Sequence, residues 1–147
     1  TYRQALRLRA VSTPQVIIDG RRPASAADEE ALADAVDEAA ARRDWPPQLQ
    51  FRESGDRIGV GSGRAPTGGA EVTAVIYAPG AQAVQVDSGD NRGRMVRQVN
   101  VVRRIVPLGE WTGAPALFGL PDAGEDEAVA VLVQARADRA ILAAATR

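Results

Sequence analysis

The sequence predicts a short α/β segment over residues 1–45, followed by an antiparallel β-sandwich over residues 46–147. Three observations lead to this fold class. The first segment contains a β-branched run and then an amphipathic helical pattern. Two prolines, Pro46 and Pro47, come after it and cannot continue a helix. Beyond them, seven or eight short apolar stretches alternate with turn-forming residues, which is the spacing typical of a sandwich.

In the first segment, we expect a helix end, a strand and a helix. Residues 2–9 are predicted to form the last turns of a helix, and residues 15–20 a buried strand closed by an Asp-Gly turn. Ser25 is the predicted N-cap of the helix, and Asp28 begins an acidic first turn that favours the positive end of the helix dipole. Apolar residues then recur at helical spacing from Leu32 to Ala40, and Arg42 and Arg43 close the predicted helix.

In the second segment, each predicted strand is bounded by Gly, Pro, Asp or Ser. We predict strands over residues 48–52, 57–61, 71–78, 83–87, 94–107, 115–120, 128–136 and 139–145. The last stretch is rich in helix formers, and its distance from residues 128–133 favours a strand that pairs with them. Trp45 and Trp111 stand beside Pro or Gly corners and are each predicted to fill an edge of the core.

The composition excludes much chemistry. The 147 residues are 45% hydrophobic and 25% charged, with no His, no Cys and no Lys. Thiol, imidazole and Schiff-base catalysis are therefore excluded within this chain, as are thiolate metal sites and the P-loop. We predict no catalytic residue, no metal site and no cofactor. A net charge of −1 with scattered arginines predicts no nucleic-acid partner, and no apolar run is long enough to cross a bilayer.

A turn motif stands out at Gly89, Asp90, Asn91, Gly93 and Arg94. Closely spaced Asp and Asn oxygens could indicate a calcium loop, but an EF-hand needs a bidentate Glu at its twelfth position, which here is a glutamine. We therefore predict a structural hairpin turn in which both glycines adopt positive φ. The arginines from residue 92 to residue 104 are predicted to lie on a solvated or interface strand.

Four separated motifs carry a resemblance to a known family. They are Ser12-Thr13-Pro14-Gln15 with the strand after it, Gly89-Asp90-Asn91-Arg92-Gly93-Arg94, Asn100-Val101-Val102 and Leu108-Gly109-Glu110-Trp111. Their order resembles that of the DUF1223 family of secreted bacterial thioredoxin-like proteins. The resemblance covers essentially the whole chain.

This resemblance implies a fold, a site and a location. Residues 1–45 would be the C-terminal half of a thioredoxin-like fold, and Ser12, Thr13, Pro14 and Gln15 would form a cis-proline loop that binds a substrate or partner. The family's Cys-x-x-Cys half is absent from this chain, so we expect the natural protein to extend beyond Thr1. Any thiol–disulfide chemistry would then reside upstream, in a periplasmic or secreted protein.

A second interpretation belongs to another functional class. The chain would be a noncatalytic binding module, or an accessory subunit of a larger membrane-associated or periplasmic assembly. Its partner would be a protein, or the N-terminal half supplied by another segment or chain. The presence of Cys-x-x-Cys in the upstream reading frame would distinguish the two interpretations.

Overall fold

The protein is mainly antiparallel β-structure, and the computed structural model describes residues 2–8, 15–42, 45–89 and 91–147. It has two helices and nine strands in that part of the chain. They are α1 (Tyr2–Ala5), β1 (Gln15–Ile18), β2 (Arg22–Ser25), α2 (Glu29–Ala40), β3 (Leu49–Phe51), β4 (Arg57–Val60), β5 (Ala70–Gln85), β6 (Met95–Trp111), β7 (Ala116–Gly119), β8 (Ala128–Ala135) and β9 (Ile141–Thr146).

The first segment is a β-hairpin followed by a helix. Strands β1 and β2 pair antiparallel around the predicted Asp-Gly turn. Asp19 and Gly20 have φ of 49° and 68°, the left-handed values that a tight hairpin turn of the type I′ kind requires. Strand β2 was not predicted, because Pro23 lies at its centre and argues against a strand except at a sheet edge.

Helix α2 begins later than the sequence analysis expected. The predicted N-cap, Ser25, is wrong: its hydroxyl accepts a hydrogen bond from the Ala27 amide and closes a turn before the helix. Asp28 is the N-cap, and its carboxylate accepts from the Ala31 amide at 3.0 Å. Residues 25 and 28 both carry good capping side chains, and the end of the unpredicted strand at Ser25 settles which of them caps the helix.

Two sheets pack on one core. Strands β3, β4 and β7 form a three-stranded sheet in the order β3-β4-β7, and the larger sheet has the order β6-β5-β8-β9. Ile58 and Val60 from the smaller sheet join Val72, Val131 and other inward residues of the larger one in a single cluster. Inward residues alternate with less buried ones along β5 and β8, as expected for a sandwich layer.

The two tryptophans have opposite environments. Trp111 is 1% exposed, and its indole N–H donates to the Gly61 carbonyl at 3.1 Å, so it fills the sandwich end as predicted. Trp45 is 93% exposed, and the prediction that it fills a core edge is wrong. Pro47, two residues further along the chain, is buried.

The predicted strands 71–78 and 83–87 are joined in one long strand, β5, which ends at Gln85, and its partner β6 continues past residue 107 to Trp111. Strand β8 pairs with β5 only as far as Tyr77, so the outer part of the β5–β6 pair extends beyond the sheet as a two-stranded ribbon. We call residues 81–89 and 91–99 the arm. At its base, the Gly80 amide donates to the Asn100 side chain at 3.0 Å, and both residues have positive φ.

Candidate functional site: two strand edges joined by a hairpin

The predicted partner-binding loop is only partly described. Ser12, Thr13 and Pro14 lie outside the described residues. Gln15 opens β1, is half-buried and pairs with Ser25 of β2. The loop therefore leads directly into an element whose pairing is known.

Strand β1 has one neighbour among the described residues, the strand β2. Ile17 lies opposite Pro23, which has no N–H to donate, so this is a pair whose backbone groups point away from each other. The N–H and C=O of Ile17 consequently face the second edge of β1. This edge has the geometry needed to accept another strand.

The hairpin is attached to the sandwich through its turn. The Ile141 amide of β9 donates to the Asp19 carbonyl at 2.7 Å. A Cβ atom on Gly20 would lie 2.1 Å from the Arg139 carbonyl oxygen, which is far inside contact distance. Gly20 is thus required both by its positive φ and by the close approach of the two backbones.

A groove of about 360 Å³ runs beside the outermost strand of the larger sheet. Its wall consists of β9 on one side and of the end of α2 and the 46–47 prolines on the other. The lining includes Asp19, Arg42, Pro46 and Leu49 together with residues 141–145. Most of this lining is apolar and small, which leaves room for a polypeptide backbone beside β9.

The β9 edge itself offers backbone hydrogen-bonding groups. Val129 and Arg147 exchange two hydrogen bonds, of 3.2 and 3.0 Å. Because antiparallel ladders alternate, Ala145 and Ala143 also face β8, and the backbone groups of Ala144 face outward. Strand β9 has no second neighbour in the described part of the sheet, so its outer edge is open to strand addition.

The predicted structural turn lies at the tip of the arm. Gly89 and Gly93 both have φ of 80°. The Gly93 amide donates to the Val86 carbonyl at 2.7 Å, and the Arg94 guanidinium donates to the Asn91 side chain at 3.4 Å. Asp90 falls outside the described residues. These contacts are local to the hairpin, as expected of a turn.

Two acidic side chains in the described part of the chain form structural contacts. Hydrogen bonding from Ser54 lowers the pKa of Asp56, and hydrogen bonding from the Gly124 amide lowers the pKa of Glu127. Glu127 also accepts from Arg104 at 3.1 Å, so the loop before β8 is tied to β6. Among the described residues, no three acidic side chains are grouped as metal ligands would be.

A further surface lies on the outer face of the larger sheet. The Tyr2 hydroxyl accepts a hydrogen bond from the Gln134 amide group, which also donates to the Arg139 carbonyl at 2.7 Å. Helix α1 is anchored by this contact over a cavity of about 250 Å³ lined by Val75, Leu132 and their neighbours. No signal in the sequence could have indicated it, since Tyr2 and Gln134 are 132 residues apart.

Together these features define a mainly antiparallel β protein with a hairpin–helix unit attached and two strand edges open to a partner. The chain belongs to the DUF1223 family, described as proteins of unknown function, whose model matches residues 1–134. Within the described residues, no helix has the length and apolar character that crossing a membrane requires.

One solved structure is similar over nearly the whole chain. It is the X-ray crystal structure of protein AGR_C_4864 from Agrobacterium tumefaciens, with a TM-score of 0.73 and 25% sequence identity. The similarity covers 99% of this chain and 65% of that protein. No curated protein matches the chain.

Proposed function

We propose that this chain is the C-terminal part of a secreted or periplasmic thioredoxin-like protein. In this proposal residues 1–45 complete a thioredoxin-like module, and residues 46–147 form a noncatalytic sandwich domain. The observation that carries the proposal is the order strand, tight turn, strand and helix, from β1 to α2, with the second edge of β1 open. A thioredoxin-like module needs a further strand on such an edge.

In this proposal the thiol chemistry and the substrate-binding loop lie in different parts of the full-length protein. The chain has no Cys, so a thiolate would come from residues outside this sequence. The loop of Ser12, Thr13 and Pro14 would present backbone groups to an extended substrate, and Gln15 would continue that backbone into β1. The attachment of Asp19 to Ile141 would keep the sandwich fixed relative to this loop.

Thiol trapping on the full-length natural protein tests the redox part of this proposal. The protein is alkylated before and after reduction under denaturing conditions, and its intact mass is compared. We expect two additional alkyl groups after reduction, from one cysteine pair. An unchanged number of alkyl groups would contradict a thiol–disulfide function.

A pair of proline variants tests the role of the loop. Pro14→Ala should slow disulfide exchange in the full-length protein, because the loop would lose its fixed backbone direction. Pro115→Ala, which changes a proline in the sandwich, is the matched control and should leave the exchange rate unchanged. Equal exchange rates for the two variants would show that Pro14 has no role in disulfide exchange.

The open β9 edge favours the second function, a noncatalytic module that binds an extended polypeptide. Ala144→Pro would remove an outward N–H and add a ring at the edge without disturbing pairing to β8. Peptides that are selected from a displayed library for binding to the unmodified protein should no longer bind this variant. They should be retained in Ala144→Ser, and peptides that bind both variants equally would argue against this edge.

A further inference from the structure

The arm exposes apolar side chains that nothing in the described part of the chain covers. Ala81, Ala83 and Gln85 lie directly opposite Val99, Arg97 and Met95, so these six residues share one face of the ribbon. Met95 and Val99 are each 63% exposed. An isolated two-stranded ribbon is marginal in water, and contact with another surface would stabilise it.

The same ribbon is basic. Arginines stand at positions 92, 94 and 97, and Asp87 is the one acidic residue in the described part of the arm. Arg97 forms no ion pair with any described residue, and it lies between the two exposed apolar side chains on the face defined above. A complementary surface should therefore combine small apolar residues with carboxylates.

Helix α2 of this protein has such a surface. Ala33, Val36 and Ala40 are exposed at spacings of three and four residues, which places them in one stripe along the helix. Val36 is 48% exposed. Glu30 and Asp37 lie beside Ala33 on one flank of the stripe, are exposed and form no ion pair among the described residues.

We propose that the arm of one copy docks on α2 of a second copy of this chain, and that the contact is reciprocal. The dimensions agree: the 12 residues of α2 span about 18 Å, and five paired positions of the arm span about 17 Å. Val99 and Met95 would cover the Val36 stripe. Arg97 would lie among the carboxylates that flank it.

Each copy carries both surfaces, the arm and the helix, so a two-fold pair can form the same contact twice. A single arm–helix contact leaves one free arm and one free helix, to which a third copy could bind. A two-fold pair uses both arms and both helices and closes the assembly. The contact is partly electrostatic, so it should weaken as salt shortens the Debye length from about 10 Å at 0.1 M to about 3 Å at 1 M.

Sedimentation analysis of the full-length chain with two charge-reversal variants tests the proposal. The unmodified protein should sediment as a dimer at low salt. If these 147 residues are studied alone, the dimer should have twice their calculated mass of 15.5 kDa. Arg97→Glu and Asp37→Arg should each raise the dissociation constant by at least about tenfold, because like charges then face each other at both contacts. Circular dichroism should show that both variants remain folded, since both positions are exposed.

Mixing the two variants gives the decisive result. One contact of the mixed dimer is native, and the other joins a reversed arm to a reversed helix, so the mixture should dimerise although neither variant does alone. Arg64→Glu reverses an exposed charge outside both surfaces, and this control should dimerise normally. A monomer at all concentrations, a dimer indifferent to both reversals, or a mixture that stays monomeric would each overturn the proposal.

Discussion

Replacing Gly20 by alanine tests how the hairpin is attached to the sandwich. The added Cβ would lie 2.1 Å from the Arg139 carbonyl oxygen, and a carbon atom needs more than 3 Å there. The turn must move away from the sandwich, and the hydrogen bond from Ile141 to Asp19, now 2.7 Å, must lengthen or break. That bond is worth about 1 kcal/mol.

The backbone conformation adds a second cost. Gly20 has φ of 68°, and an L-residue in that region costs roughly 1–2 kcal/mol. With the lost hydrogen bond and the displaced backbone, the total is about 3 kcal/mol. Gly68→Ala is the matched control: Gly68 has φ of 81°, and a Cβ there would meet no atom within 4 Å, so only the conformational cost remains.

Amide hydrogen exchange at Ile141 is the appropriate assay, because this amide donates to the hairpin. A change of about 3 kcal/mol corresponds to exchange about 100-fold faster in Gly20→Ala. The control should accelerate exchange at Ile141 by no more than about 30-fold, because its conformational cost of roughly 1–2 kcal/mol acts on this amide only through opening of the whole fold. Equal acceleration by the two substitutions would refute the close approach of Gly20 to Arg139.

Three further predictions concern the sandwich. Trp111→Phe should lower the free energy of unfolding by about 2 kcal/mol in urea titration, because it leaves the Gly61 carbonyl without its donor and opens a small cavity; an unchanged midpoint would contradict this. Asn100→Gly should accelerate amide exchange at Gly80 without lowering the thermal midpoint of the sandwich, since it removes the acceptor at the base of the arm and tolerates the positive φ of this position, and a loss of the whole fold would contradict a local role. The folded pKa of Glu127 is lowered from its ordinary value of 4.5, so its contribution to stability is present above about pH 4.5 and lost as the pH falls through the lowered pKa; Glu127→Gln should remove that part of the acid dependence.

The regular elements could be predicted from the sequence where one local signal dominated. Alternation of apolar residues identifies β5 and β8, and the Asp-Gly pair identifies the first turn. Strand β9 is rich in alanine and was assigned from its distance to β8, which the structure bears out. The error at Ser25 arose because two good capping residues stand three positions apart and a short strand decides between them.

The open edges and the exposed arm could not be predicted in the same way. Whether a strand has one neighbour or two depends on the order of strands in the sheet, which sequence periodicity does not contain. The sequence pattern divides β5 into separate strands over residues 71–78 and 83–87, and the pairing with β6 does shift register between Ala78 and Ala81, at the base of the arm. Only the extent of β8, which stops opposite Tyr77, shows that the ribbon continues without a third strand.

The open edge of β1 provides the most direct test of the central proposal. In the full-length natural protein, the N–H of Ile17 would donate to a further strand of the thioredoxin-like module, and the N–H of Ile18 would face β2 as it does here. Hydrogen exchange resolved by residue distinguishes these two amides. The account predicts that the Ile17 amide is protected to about the same degree as that of Ile18, and free exchange at Ile17 beside a protected Ile18 would contradict it.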